Sequence, residues 1–292
     1  AYDFLVAHLP AADRATLDPV IMLETLDLSF RARAEFAWAR TVPDELFFND
    51  VLPYAFVNEA RENWRPTLYA KVAPLVRDAP TSLEAIRRIN VGIARLTGVK
   101  YSTERRQPHQ APGQSMAFGN AGSTGLSILL AAAFRSVGIP ARLCGTARWG
   151  DLSGNHMWVE VWDDGWHFTE YYPDEGGLDH GWILEKCALA DPLEPFQRIV
   201  ATTWKPGDEI FRLAWNPANL SLPAVHRTAH YQALAGGRRV AVPEGEGCVA
   251  IRAFAQPGGP RVSVPVVVRQ AGVELRRAAT GDAQSEPSHF VV

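Results

Sequence analysis

Apolar residues recur at helical spacing through most of the first hundred positions. Between Ala11 and Arg33 they fall at Leu17, Val20, Ile21, Leu23, Leu26 and Leu28, which predicts a helix with Asp13 as a candidate cap. A second helical stretch is predicted over 58–76 and a third over 81–97. In the third, Thr81 fits an N-cap with Glu84 three residues on, and Ile86, Ile89, Val91, Ile93 and Leu96 form a wide apolar face. Pro43, Pro53 and Pro66 interrupt the region. Over 101–122 the pattern lapses: Gln107, Pro108, Pro112, Gly113, Gly119 and Gly122 mark a long loop, of the kind that in a compact domain usually carries function. An apolar helix over 123–137 follows, stopped by Gly138 and Pro140. From Ala141 the period switches to two. Strands are predicted over 141–147, 154–162 and 165–171, the last two joined by a hairpin turn at Asp163–Gly165. Beyond Asp191, Trp204, Trp215 and several prolines predict loops with short strands. Near Gly236–Gly237 the composition shifts again, and 240–254, 262–269 and 272–278 alternate apolar and polar residues around Gly/Pro turns.

The pattern therefore predicts an α+β domain over 1–235, helices on one side and an antiparallel sheet or small barrel on the other, with a cleft between them. A small all-β, sandwich-like module over 236–292 follows. It is short for an independent sandwich, so it leans on the first domain or is truncated.

Composition narrows the functional classes. Of 292 residues, 47% are hydrophobic and 21% charged, which excludes a disordered chain, and the formal net charge of −3 argues against nucleic acid as a partner. Three cysteines cannot make a disulfide scaffold. No apolar run is long enough to span a bilayer; the longest, Leu129–Phe134, ends at Arg135. The chain opens without Met, which fits a removed leader or a start within a gene. An exported location is favoured over the cytoplasm, and the oligomeric state is open.

Three segments carry the candidate chemistry: a small-residue loop entering a helix (GNAGSTGLSILLAAAFRSVGIPAR), a strand holding Gly154-Asn155-His156, and a strand with Trp166 and Glu170 (GWHFTEYYPD). Taken singly, Ser123 reads as an N-cap, His156 as a structural histidine and Glu170 as a solvated carboxylate. Their order and spacing resemble the transglutaminase-like, papain-fold superfamily over roughly Tyr101–Pro192, most tellingly in Gly138-Ile139-Pro140-Ala141-Arg142 and Gly154-Asn155-His156. Trp215-Asn216-Pro217 and Val225–Tyr231 resemble the tail of a bacterial branch. The resemblance implies a papain/transglutaminase-like core in which the helix start presents the nucleophile, the next strand the His and the following strand the carboxylate. On these positions the triad is Ser123, His156 and Glu170, with Glu160 and Asp174 as competing carboxylates. The chain departs from the family at two of the three, with Ser for Cys and Glu for Asp.

The physics of such a site supports the assignment. A nucleophile at a helix N-terminus faces unpaired N–H groups and the positive dipole end, which favour an anion. Glu170 lies 14 residues after His156 with the turn midway, so the two are expected nearly opposite each other on one face. Gln114 is a candidate oxyanion donor, its alternative being a solvated loop Gln. Asn155, Trp158 and Trp166 are candidate substrate-binding residues, the tryptophans as core and cleft-wall aromatics. His167, His180 and Cys187 make no compact ligand set, so no metal is expected, and the chemistry needs no cofactor. The Gly236–Arg239 stretch reads as a linker rather than a phosphate loop.

The implied activity is acyl transfer on a peptide or protein substrate: attack on an amide carbonyl, an acyl-enzyme, and release to water, with transfer to an amine second. Ser123 leaves three readings: a Cys-to-Ser replacement that inactivates the site, favoured over the second, a natural Ser enzyme; and a non-catalytic relative binding a peptide or glycan in the same cleft.

Overall fold

The structure, a computed structural model, describes residues 1–236, 248–251, 253, 255–256, 262–280 and 288–291. Its helices are α1 (Tyr2–Ala7), α2 (Pro19–Glu35), α3 (Ala37–Thr41), α4 (Asp44–Leu46), α5 (Arg65–Val76), α6 (Ser82–Thr97), α7 (Pro112–Phe118), α8 (Ser123–Ser136), α9 (Ile183–Cys187) and α10 (Thr228–Leu234). Its strands are β1 (Lys100–Tyr101), β2 (Asn120–Ala121), β3 (Ala141–Thr146), β4 (His156–Trp162), β5 (Trp166–Thr169), β6 (Val200–Thr202), β7 (Glu209–Ile210), β8 (Pro223–His226), β9 (Cys248–Ile251), β10 (Pro265–Gln270), β11 (Val273–Ala279) and β12 (Ser288–Val291).

Prolines and caps decide where the helices begin. The helix expected from Ala11 starts at Pro19, because proline suits the first turn and Asp18 accepts a 2.9 Å hydrogen bond from the Val20 N–H. Asp13 is no cap: it is buried, accepting from the Tyr54 hydroxyl at 2.7 Å and Arg61 Nε at 2.8 Å. The second helix likewise starts late, at Arg65-Pro66. Thr81 caps α6 as expected, and Gly98 ends it in the left-handed region.

Six strands form one sheet in the order β5-β4-β3-β6-β8-β7, every neighbouring pair antiparallel. One face carries Leu143, Met157, Val159 and Val161 into the main core, against α8 and the apolar sides of α5 and α6. The other face presents Cys144, Trp158, Phe168 and Ala201 to Trp149, Ile183, Cys187 and Tyr231, from α9, α10 and the loops. This is the α+β architecture expected, with helices packed against an antiparallel sheet.

Every residue of α8 after Ser123 is buried, including Arg135. Arg135, which ends the apolar run in sequence, is held by carbonyls: its Nε donates to Ala141 at 2.7 Å and its Nη1 to Pro53 at 3.2 Å. Burial pulls its pKa down to about 10, so it stays charged at neutral pH. Gly138 stops α8 with φ +77°, and a Cβ there would stand 2.6 Å from the Ala39 Cβ, so both conformation and space require glycine.

In the C-terminal region β10 pairs with β11 and β9 with β12, both antiparallel. Of the stretch read as a linker, Gly236–Arg239, residues 237–239 lie outside the described residues, as do 240–247 and 281–287.

Candidate active site

Gly122 ends the short strand β2 with extended backbone and serves as the N-cap of α8, with no side-chain cap bond. Ser123 therefore occupies the first helical turn and is not the cap that its residue type suggests. It is the half-buried member of an otherwise buried helix, and it opens into a cavity of about 520 Å³. Ser127, one turn on, also lines the cavity and donates from its hydroxyl to the Met157 carbonyl at 2.9 Å, fixing α8 to the start of β4.

His156 is the first residue of β4, buried, and it lines the same cavity. Its Nε2 lies 2.6 Å from Glu170 Oε1, which leaves Nδ1 as the ring nitrogen available for proton exchange. The register that brings them together differs from the one expected by two residues. Glu160 pairs with Phe168 and Val159 with Thr169, which continues to place Glu170 opposite Trp158, one diagonal step from His156. A shift of two preserves the face, so the carboxylate still reaches the ring. Of the competing carboxylates, Glu160 is buried against Arg142 (2.7 Å) and Arg227 (2.8 Å), and Asp174 lines the same cavity, with no hydrogen bond to the His156 ring among the described residues. Ser123 and His156 share the cavity without a hydrogen bond between them among the described residues.

Three tryptophans surround the His156 ring. Trp182 is closest, with ring centroids 4.8 Å apart, and Trp149 and Trp158 lie at 6.1 Å. The rest of the wall is largely aromatic, built by Tyr101, Tyr171, Tyr172 and Trp182, with Lys100 and Asp174 as further charged members beside Glu170.

The four expected substrate-binding residues are not among those lining the cavity. Gln114 sits at the third position of α7, and its Oε1 accepts from the Ala111 N–H (3.0 Å) and from Gln107 (2.7 Å), so it works as a helix cap. Trp158, on the same face of β4 as His156, is wholly buried, its indole donating to the Tyr231 hydroxyl at 2.7 Å. Trp166 packs under the Arg142 guanidinium at 3.9 Å and edge-on to Trp162. Asn155 is half-buried just before β4. Conversely, Trp182, Tyr171 and Tyr172 are wall residues that the sequence does not single out. They lie in irregular segments with no periodicity, and the one cue, a tryptophan directly after glycine in Asp179-His180-Gly181-Trp182, is weak. No group of residues arranged to hold a metal occurs among the described residues, and no described helix is long and apolar enough to cross a membrane.

Residues 69–173 match the Transglutaminase-like superfamily. The matched span runs from α5 to the end of the β5 segment and contains Ser123, His156 and Glu170. Members of this superfamily are typically acyl-transfer enzymes akin to cysteine proteases. Among solved structures, a protein titled "Putative Cysteine Protease from Cytophaga hutchinsonii" is similar at 14% identity with a TM-score of 0.37, over 51% of this chain and 50% of that one. The chain thus spans half the length of that protein. A search of the curated proteins found no match.

Proposed function

We propose that Ser123, His156 and Glu170 are the nucleophile, base and orienting carboxylate of an acyl-transfer site acting on peptide or side-chain amides. The observation that carries this reading is the His156–Glu170 bond of 2.6 Å, opening into the same cavity as the one half-buried residue of α8.

In the proposed cycle the nucleophile at position 123 attacks the amide carbonyl carbon and passes its proton to His156 Nδ1. The oxyanion meets backbone N–H groups at the start of α8. Collapse breaks the C–N bond, and the amine leaves with the proton returned by His156. Water then attacks the acyl-enzyme with His156 again taking a proton, releasing the acid and restoring residue 123; an amine in place of water gives transfer. Glu170 holds the ring and stabilises the imidazolium that forms.

A serine here has a far higher pKa than the thiol usual in this superfamily, so Ser123 slows or stops the first step. A Cys-to-Ser replacement remains favoured over a natural serine enzyme, with a binding-only cleft as the alternative of another class. Thiol alkylation separates them. Cys144 and Cys187 are buried, and burial pushes both thiols well above their ordinary pKa, so they contribute little background. The unmodified chain measures whatever Cys248 adds. In the Ser123→Cys variant the new thiol is expected to alkylate fast near neutral pH and to cleave peptide amides, both slowed sharply by His156→Ala. Turnover of an activated ester by the unmodified chain, lost on His156→Ala, would identify a natural serine enzyme. Ordinary thiol reactivity with no turnover in either background rejects the enzyme reading.

A further inference from the structure

A second histidine–carboxylate pair stands beside the first. His167, on β5 opposite Val161 of β4, places Nδ1 2.6 Å from Asp179 Oδ2 and Nε2 3.2 Å from the Asp163 carbonyl oxygen. Both ring nitrogens therefore face acceptors. A neutral imidazole has one N–H and satisfies one of them; the imidazolium satisfies both.

Asp179 is the far end of a clamp. Its second oxygen accepts from the Phe168 N–H at 2.8 Å, and its own N–H donates to the Phe168 carbonyl at 3.0 Å. It adopts φ +60°, a left-handed conformation that is unusual for a residue with a side chain and needs such bonds to hold it. Two and three residues on, Gly181 and Trp182 form the cavity wall. A Cβ at Gly181 would stand 3.8 Å from Glu170 Oε2, and Trp182 is the tryptophan closest to the His156 ring. Five residues back, Asp174 lines the cavity from the other end of the segment. The wall against His156 and Glu170 is thus fixed to the sheet at Asp179.

We propose that His167 is a positioning residue: in its charged form it helps hold segment 174–182, and with it Trp182, against the His156–Glu170 pair, and on losing its proton it keeps only one of its two bonds and loosens that hold.

The charges facing the ring fit this role. Asp179 approaches from the segment itself and Asp163 from the β4–β5 turn, the latter with its carboxylate bonded to Ser82 at the start of α6. His230 on α10 is close enough to Asp179 to interact electrostatically with it. Burial works against the charge on His167, but the Asp179 bond and the two nearby carboxylates outweigh it and raise the pKa above the ordinary 6.5. A raised histidine pKa stabilises the charged contact below the free value and loses it as pH climbs through the raised one. The hold is therefore firmest below 6.5 and loosens as pH climbs through the raised value.

The inference rests on the acyl-transfer reading only for its activity readout; the tether itself is measured without turnover. NMR spectra of the full chain, taken from mildly acidic to alkaline pH, follow the His167 ring and the Trp182 indole N–H. The expected result is that the Trp182 signal moves with the same midpoint as His167, above 6.5. His167→Gln and, separately, Asp179→Asn should abolish that titration. Each should also lower amide-exchange protection at Asp179 and Trp182 by roughly ten- to a hundredfold, the effect of losing one charged hydrogen bond. Either variant serves if the other does not fold. In a background that turns over, the same variants should lower the alkaline limb of the pH profile and raise KM more than they lower kcat. A Trp182 signal indifferent to His167, or unchanged protection across 174–182, overturns the proposal. If no background turns over, the acyl-transfer reading fails while the NMR result still decides the tether.

Discussion

Glu170 is set apart from its competitors by a single side-chain length. It follows directly on the last residue of β5, half-buried, where it can reach across one diagonal of the ribbon to His156, whereas Glu160 is committed to two arginines. If its charge stabilises an imidazolium, Glu170→Gln in a turning-over background should lower kcat by roughly 10²–10⁴, the range of general acid–base effects, with little change in folding stability. Glu170→Asp, shorter by a methylene, should recover part of the loss. Steady-state kinetics on the two variants checks this, and equal activity of Glu170→Gln and the parent would remove the residue from the site. The three positions proposed as nucleophile, base and carboxylate were legible in sequence because such chemistry depends on order and spacing. Trp182 was not, because its place over His156 is set by the clamp at Asp179, two strands of bonding that leave no periodic trace. Gln114 and Trp158 lie off the cavity lining: Gln114 accepts the Ala111 N–H at the start of α7, and Trp158 is buried with its indole on the Tyr231 hydroxyl.

At the scale of elements, α8 and the β4–β5 ribbon do most to build the cavity, and both were legible from periodicity and turn residues. The ribbon's register differs by two from the one expected because it is centred on Asp164 rather than Asp163, a shift that keeps every side chain on its face where a slip of one would not. Helix α7 was read as loop. Its signals were present, with Pro112 at the first position and Gly119 at the end with φ +68°, but seven residues are too few to show a helical face. The stop of α8 is a sharper test of the element argument. Gly138→Ala should destabilise the protein by more than ~1 kcal/mol, because the left-handed backbone disfavours any side chain and the new Cβ meets Ala39. Urea denaturation should show a lower midpoint with an unchanged slope. At the other end of the helical layer, Thr81→Ala should cost about 1 kcal/mol by freeing the Glu84 N–H of α6, read in the same assay.

Across the whole molecule the sheet is tied to its second layer by one buried carboxylate. Glu160 of β4 accepts from Arg142 on the neighbouring β3, from Arg227 just before α10 and from the Tyr231 hydroxyl within α10, the last at 3.0 Å. In sequence it looked like an alternative partner for His156, since spacing alone cannot tell a carboxylate at the cavity from one beneath it. Burial by itself would push Glu160 upward, but the two guanidiniums hold its pKa below the usual 4.5. A lowered carboxylate pKa gives stability that is present above the unfolded value and lost as pH falls through the folded one. Arg142→Met removes one guanidinium while keeping the apolar stem, and it leaves a buried charge short of a partner. At neutral pH that should cost about 3–5 kcal/mol. In the variant burial gains the upper hand and Glu160 takes up a proton at a higher pH than in the parent. The stability difference between the two should therefore shrink as both are brought below pH 4.5. Paired urea titrations at neutral and acidic pH measure that difference directly. A deficit of the same size at both would mean that Arg142 acts through packing on Trp166 rather than through the charge of Glu160.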